Sequence, residues 1–236
     1  MTRLYLAAFA LFAAGAFAAD EFKNDSEAGV VITSGNTKTQ SWHLKDGSQY
    51  VFDANTMRFD GDYLSARQNG IESAETWSAG LRYERQLEEM LSGFVSQSVE
   101  GDKFSGFLQR YNSDLGAKYF LKKKDKDLIL FVEGGYRFTH EHDTDGDLHD
   151  YQKGRAYVEA EKYWAAATST KIWIEYLPNF TFARGWLLNG EASVSSAIGS
   201  IFSVKSAYLV KYNNSPPSPT AVPTDTTFTT SLVAKF

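Results

Sequence analysis

From Glu27 to the final residue, short runs of alternating apolar and polar side chains are separated by turn-forming residues. A period of two puts successive side chains on opposite faces of a strand. Twelve such segments are read. The first covers 27–37, with Ala28, Val30 and Ile32 on one face. The second covers 40–52, with Trp42, Leu44, Tyr50 and Phe52 aligned. The third, 56–67, sets Met57, Phe59 and Tyr63 against Arg58, Asp60 and Asp62. The fourth, 75–87, sets Trp77, Leu81 and Tyr83 against Arg82 and Glu84. The fifth (90–100) is weaker. The sixth (110–122) aligns Tyr111, Leu115, Tyr119 and Leu121. The remaining six cover 127–140, 152–164, 168–180, 185–198, 201–212 and 224–236.

The last segment ends on an aromatic. Phe236, Ala234, Leu232, Thr230 and Phe228 share a face, and Lys235, Val233, Ser231, Thr229 and Thr227 share the other. An amphipathic strand that ends at a terminal Phe is the kind of element that closes an outer-membrane β-barrel, and Phe236 is read as its assembly signal. The spans suit the roughly 9–11 residues a tilted strand needs to cross a bilayer. Twelve is an even number, as single-chain bacterial barrels have. The fold class expected is therefore all-β, a transmembrane antiparallel β-barrel of about twelve strands.

The connections carry an independent signal. With the first strand starting in the periplasm, the periplasmic turns are 53–55, 88–89, 123–126, 165–167 and 199–200, all short. The opposite connections at 68–74, 101–109, 141–151 and 213–223 read as longer and polar, with short exceptions near 38–39 and 181–184. Short turns opposite longer loops are the pattern of a transmembrane barrel rather than of a soluble sandwich.

Residues 1–18 read differently. Arg3 precedes a short apolar stretch, 4–12, and Ala16-Phe17-Ala18 has the form of a processing site. This predicts a secretory signal peptide cleaved after Ala18, with the barrel domain over 19–236. Localisation in the outer membrane of a Gram-negative bacterium follows. The outer-membrane lipids and the barrel-assembly machinery are the expected partners. The chain has no cysteine, and its net charge of −5 becomes one unit more negative without Arg3. That balance offers no basic surface for nucleic acid. Aromatic residues make up 15% of the chain, yet its mean hydropathy is negative. A polar lumen inside an apolar, aromatic-rimmed lipid face averages out in this way.

The stretch from Glu27 through Val30, Ile32, Ser34-Gly35-Asn36-Thr37 to Thr39 resembles the opening of the salt-induced outer-membrane proteins, the YdiY-like family of unknown function. Gly80-Leu81-Arg82-Tyr83-Glu84, Gly134-Gly135-Tyr136-Arg137-Phe138 and the terminal Ser231 to Phe236 are similar as well. The resemblance implies an outer-membrane barrel, with no established activity and no catalytic residues to carry over. Ser34-Gly35-Asn36-Thr37 reads physically as a tight turn.

Candidate chemistry lies in two places. Alternation assigns Arg58, Asp60, Asp62, Arg82, Glu84, Arg110, Asp114, Lys118, Glu133, Arg137, Arg155, Glu159, Glu161, Lys171, Glu175, Glu191, Lys205 and Lys211 to the lumen face. Charges of both signs could pair and fill the interior, making a structural barrel. They could instead flank a water-filled gap, making a small passive pore for ions or small solutes. The segment His140 to Asp150 could hold a divalent cation through Asp143, Asp145, Asp147 and His149, although its spacing departs from an EF-hand. A solvated acidic loop is the plainer reading. No cofactor is expected. Nor is an enzyme, since no Gly-x-Ser-x-Gly elbow occurs and His43 should point inward.

Overall fold

The computed structural model describes residues 21–33, 39–125, 127–216 and 222–236. The proposed signal peptide and the 34–37 turn lie outside them. The described chain forms twelve strands: β1 (Glu21–Thr33), β2 (Thr39–Phe52), β3 (Asn55–Gln68), β4 (Ile71–Gln86), β5 (Leu91–Asp102), β6 (Phe107–Asp125), β7 (Leu128–Asp143), β8 (Leu148–Ala165), β9 (Thr168–Leu177), β10 (Leu187–Ala197), β11 (Phe202–Asn213) and β12 (Thr224–Lys235). Each pairs antiparallel with its sequence neighbours, and β1 pairs with β12, so the sheet closes on itself. Closure joins the first strand to the last, so backbone polar groups pair largely within the sheet, as a bilayer demands.

The alternation of the sequence becomes the two faces of this wall. Leu81, Leu115, Ile172, Ile174, Val194, Phe228 and Leu232 stand exposed on the outside. The opposite positions, among them Phe94, Glu133, Lys153, Ser193, Ser231 and Val233, are buried inside. The interior is thus mainly polar, and the apolar surface faces what would be lipid.

Several boundaries differ from the sequence reading. β1 begins at Glu21 and ends at Thr33, because its ladder with β2 starts at Glu21↔Val51. The connection expected over 68–74 is a two-residue turn, with Asn69 at φ 52° and Gly70 at φ 83°. Asn-Gly is the pair that favours left-handed angles at both central positions of a hairpin. The 141–151 loop shrinks to 144–147 because β7 and β8 remain paired as far as His142↔Leu148. Conversely, the connection expected to be short near 181–184 spans 178–186, since β9 stops at Leu177. Pro178, next in the chain, has no N–H to donate to a ladder. Asn179 organises this loop, its Oδ1 accepting from the amides of Thr181 and Phe182 at 3.0 Å each.

The closing seam is short. β1 and β12 are in register from Asp25↔Lys235 to Ala28↔Leu232. Below that, Asn24 and Phe236 exchange two backbone hydrogen bonds of 2.9 Å. Above it both strands run on, β1 to Thr33 and β12 back to Thr224, without ladder pairing to each other.

Candidate functional site: the barrel lumen

One wall of the lumen is an alternating chain of charges. Arg82 on β4 bonds Glu84, two residues along, at 3.0 Å, and Glu133 on β7 at 2.7 Å. Arg155 on β8 also bonds Glu133, and it reaches Glu175 on β9 at 2.7 Å. Arg137 on β7 bonds Asp114 on β6 at 2.7 Å and Glu175 at 3.4 Å. Lys118 approaches Glu84 at 3.4 Å. Each buried carboxylate faces one or more cations, which offsets the cost of taking it out of water.

A flat aromatic floor supports the network. Phe94 of β5 is 3% exposed, with the Arg82 guanidinium 3.8 Å above its ring. Arg155 lies 5.7 Å from the same ring. The ring can lie against the wall because Gly116 has no side chain. A Cβ there would meet Phe94 at 2.7 Å. Towards the loop end, Arg110 sits 3.6 Å over Phe107 and bonds Glu141 at 2.6 Å and Glu100 at 3.4 Å.

The other wall is more open. Arg58 pairs with Asp60 at 2.7 Å. Lys205 pairs with Glu27 at 2.8 Å and lies 3.8 Å from Glu191. Between the two walls lies a cavity of about 1010 Å³. Its lining begins at Asp53 and Ala54, in the β2–β3 turn, and reaches Asp102, Phe104 and Ser105 at the opposite end of the barrel. A second cavity of about 540 Å³ occupies the loop-end half beside Arg110, Arg137 and Lys153. Asp60, Arg82, Arg155, Glu175 and Lys211 line both.

Of the candidates read from alternation, Arg58, Asp60, Arg82, Glu84, Glu133, Arg155, Glu159, Glu161, Lys171, Glu175, Glu191 and Lys205 line the larger cavity, and Arg137 lines the smaller. The structure adds Glu27, Lys45, Glu100 and Lys153, which the sequence reading passed over. Parity carries the signal for Glu100, which alternates with Val95 and Val99 on the weak fifth segment. The same parity places Phe94 on the inner face.

In the acidic loop, Asp143, Asp147 and His149 bring ligand atoms within 4.8 Å of one another, and Asp145 is not among them. Hydrogen bonds within the loop account for the grouping. The Asp143 carboxylate accepts from the amides of Asp147 at 2.9 Å and Asp145 at 3.0 Å. It also contacts His149 Nε2 at 3.2 Å. These bonds hold the Asp143 carboxyl below its ordinary pKa, the Asp147 amide first among them.

Comparison with known proteins agrees on architecture. Among solved structures, the chain is similar to the NanC porin (TM-score 0.56, 10% identity, 89% of this chain and 98% of that one). It is also similar to an outer membrane channel from Pseudomonas putida F1 (TM-score 0.55, 9% identity, 92% and 95%). A third is the KdgM porin (TM-score 0.51, 10% identity, 91% and 99%). At such identities the likeness is one of fold. In sequence, it is 24% identical over 212 residues to the uncharacterized protein YdiY of Escherichia coli (strain K12), covering 89% of this chain and 82% of that protein. Residues 26–236 match the family model described as "Protein of unknown function, DUF481", and the chain belongs to that family.

Proposed function

We propose that the protein is a narrow passive pore of the bacterial outer membrane, for ions and small hydrophilic solutes, delivered there after removal of residues 1–18. The observation that carries this is the cavity of about 1010 Å³, whose lining runs from the β2–β3 turn to the 3-10 turn at Lys103–Ser105. Ion pairing consumes the lumen charges on the β4–β9 wall and leaves room beside β1–β4 and β10–β12. The two outcomes that the charge pattern allowed thus coexist, one on each wall.

The two cavities adjoin along charged residues at mid-barrel. Arg82, Arg155 and Glu175 project from the networked wall towards Asp60 and Lys211. Both signs are present there, so weak charge selectivity is expected. The test is single-channel recording of the refolded protein in a planar bilayer. The pore reading expects stepwise conductance with a reversal potential near zero in a salt gradient. Arg155→Ala should increase the step size. Folded protein that inserts without conducting would leave a barrel whose role is structural.

A further inference from the structure

We propose that Lys153, flanked by Arg137 and Arg110, anchors a lumen site that binds the carboxylate of a small organic monoacid. Lys153 shares the inward parity of β8 with Arg155 and Tyr157. Its side chain lines the smaller cavity, of about 540 Å³, and the residue is only 4% exposed. Lys153 is an exception on a wall whose charges otherwise pair. Among the described residues its ammonium makes no hydrogen bond and no ion pair, and it lies 5.1 Å from the Tyr151 ring.

The neighbours make this isolation costly. Arg137 stands directly opposite on β7, and like charges in facing positions repel. On the other side the bridged residue is Asn179, whose Oδ1 is already taken by two amides. Two acids whose charge reaches Lys153 are Glu141 and Glu100. Both are held by Arg110, at 2.6 and 3.4 Å. A buried ammonium left unpaired beside a guanidinium lowers stability. A cost of this kind, kept at a cavity, marks a position held for a ligand.

The two arginines still have donors to offer. Arg137 bonds Asp114 and Glu175 through Nε and Nη2. Arg110 bonds Glu141 and Glu100 through Nε and Nη1. Arg137 Nη1 and Arg110 Nη2 remain for a ligand, and both side chains line the same cavity as Lys153. Facing positions on paired strands hold their Cβ atoms roughly 5 Å apart, so one carboxylate can bridge Lys153 and Arg137. The arginine charges are met by acids, which leaves Lys153 as the uncommitted cation. Its single charge matches a monocarboxylate better than a phosphate dianion. Leu177 and Leu187, opposite each other on β9 and β10, line the same cavity and fit the carbon skeleton of such an acid.

This site rests on the pore reading for its role. A solute entering from the loop end meets this cavity first. Reversible capture there raises the local concentration of the acid and favours its passage over that of a neutral solute.

The test is calorimetric titration of the full barrel, refolded in detergent, with sodium gluconate at neutral pH. Sorbitol, which has the same number of carbons and no charge, and inorganic phosphate are the comparison probes. Gluconate should bind, sorbitol should not, and phosphate should bind more weakly than gluconate. Lys153→Met should weaken gluconate binding by about 10-fold or more, the worth of one charged hydrogen bond, and Lys153→Arg should restore part of it. Without ligand, Lys153→Met should leave the urea midpoint unchanged or raised. Absence of gluconate binding to folded wild-type barrel overturns the proposal, as does equal binding of sorbitol or tighter binding of phosphate. Gluconate affinity that Lys153→Met leaves unchanged does the same. A lowered urea midpoint for that variant would make the lysine structural and also overturn it. Single-channel conductance of the same preparation keeps the two readings apart. A barrel that conducts without binding gluconate overturns this site alone, and one that binds gluconate without conducting overturns the pore alone.

Discussion

Arg82 and Glu133 join across the lumen through two parallel hydrogen bonds, Nη2 to Oε1 at 2.7 Å and Nη1 to Oε2 at 3.1 Å. They come from β4 and β7, so the pair spans β5 and β6 as a chord. Fork-to-fork geometry of this kind is the strong form of an ion pair. It ties β4 to β7 across β5 and β6, and both side chains line the larger cavity.

Removing one end of the chord should be worse than removing both. The Glu133 side chain is 3% exposed and faces Arg82 and Arg155. Glu133→Gln should destabilise the barrel by about 3–5 kcal/mol, because two buried guanidiniums lose their shared anion. Adding Arg82→Met should recover part of that loss. Urea unfolding of the refolded barrel in lipid vesicles measures both, and an additive pair of effects would refute the coupling.

Two glycines on neighbouring strands should respond oppositely. A Cβ on Gly116 would lie 2.6 Å from the Gly134 carbonyl oxygen and 2.7 Å from Phe94, whereas one on Gly134 meets nothing within 4 Å. Gly116→Ala should cost about 1–3 kcal/mol through overpacking. Gly134→Ala should stay within about 0.5 kcal/mol. The same unfolding assay decides, with equal effects counting against the Phe94 seat.

Deleting Phe236 should lower the yield of closed barrel. The residue supplies both backbone hydrogen bonds to Asn24 at the base of a seam whose register otherwise runs only from Asp25 to Ala28 on β1. The fraction showing heat-modifiable migration after refolding should fall. Unchanged yield and rate would remove Phe236 from closure.

The acidic loop should loosen only in strong acid. The Asp143 pKa is lowered by the amide of Asp147, then by His149 and the amide of Asp145. A lowered folded-state pKa means that the contribution is fully present above the ordinary aspartate value of about 3.9. It is lost as pH falls through the lower folded value. Amide exchange at Asp145 and Asp147 should remain protected at pH 5 and become fast only below the ordinary aspartate range. Loss of protection well above the ordinary aspartate range would assign the loop's order to a group other than Asp143.

Alternation alone placed the strands and their faces, because side-chain direction in a strand depends on parity and on nothing distant. It assigned Arg82, Glu133 and Arg155 to the lumen-facing parity, and the structure sets all three along the cavities. The boundaries that it misplaced turn on backbone chemistry. Asn69-Gly70 makes a tighter turn than the polar stretch 68–74 suggests, and Pro178 stops β9 early. The Asn-Gly pair was legible as a hairpin signal. The nine-residue extent of 178–186 was not, since it depends on where the β9 ladder loses its partner.

The sequence by itself determined that this chain builds twelve amphipathic strands with charge on one face and apolar surface on the other. Only the tertiary structure decided which charges meet. Arg82 finds Glu133 three strands away, and Lys205 reaches Glu27 across the seam that joins the two ends of the chain. Neither pairing has a local signature. Both are set by barrel closure and by the register that closure imposes, which are properties of the whole sheet.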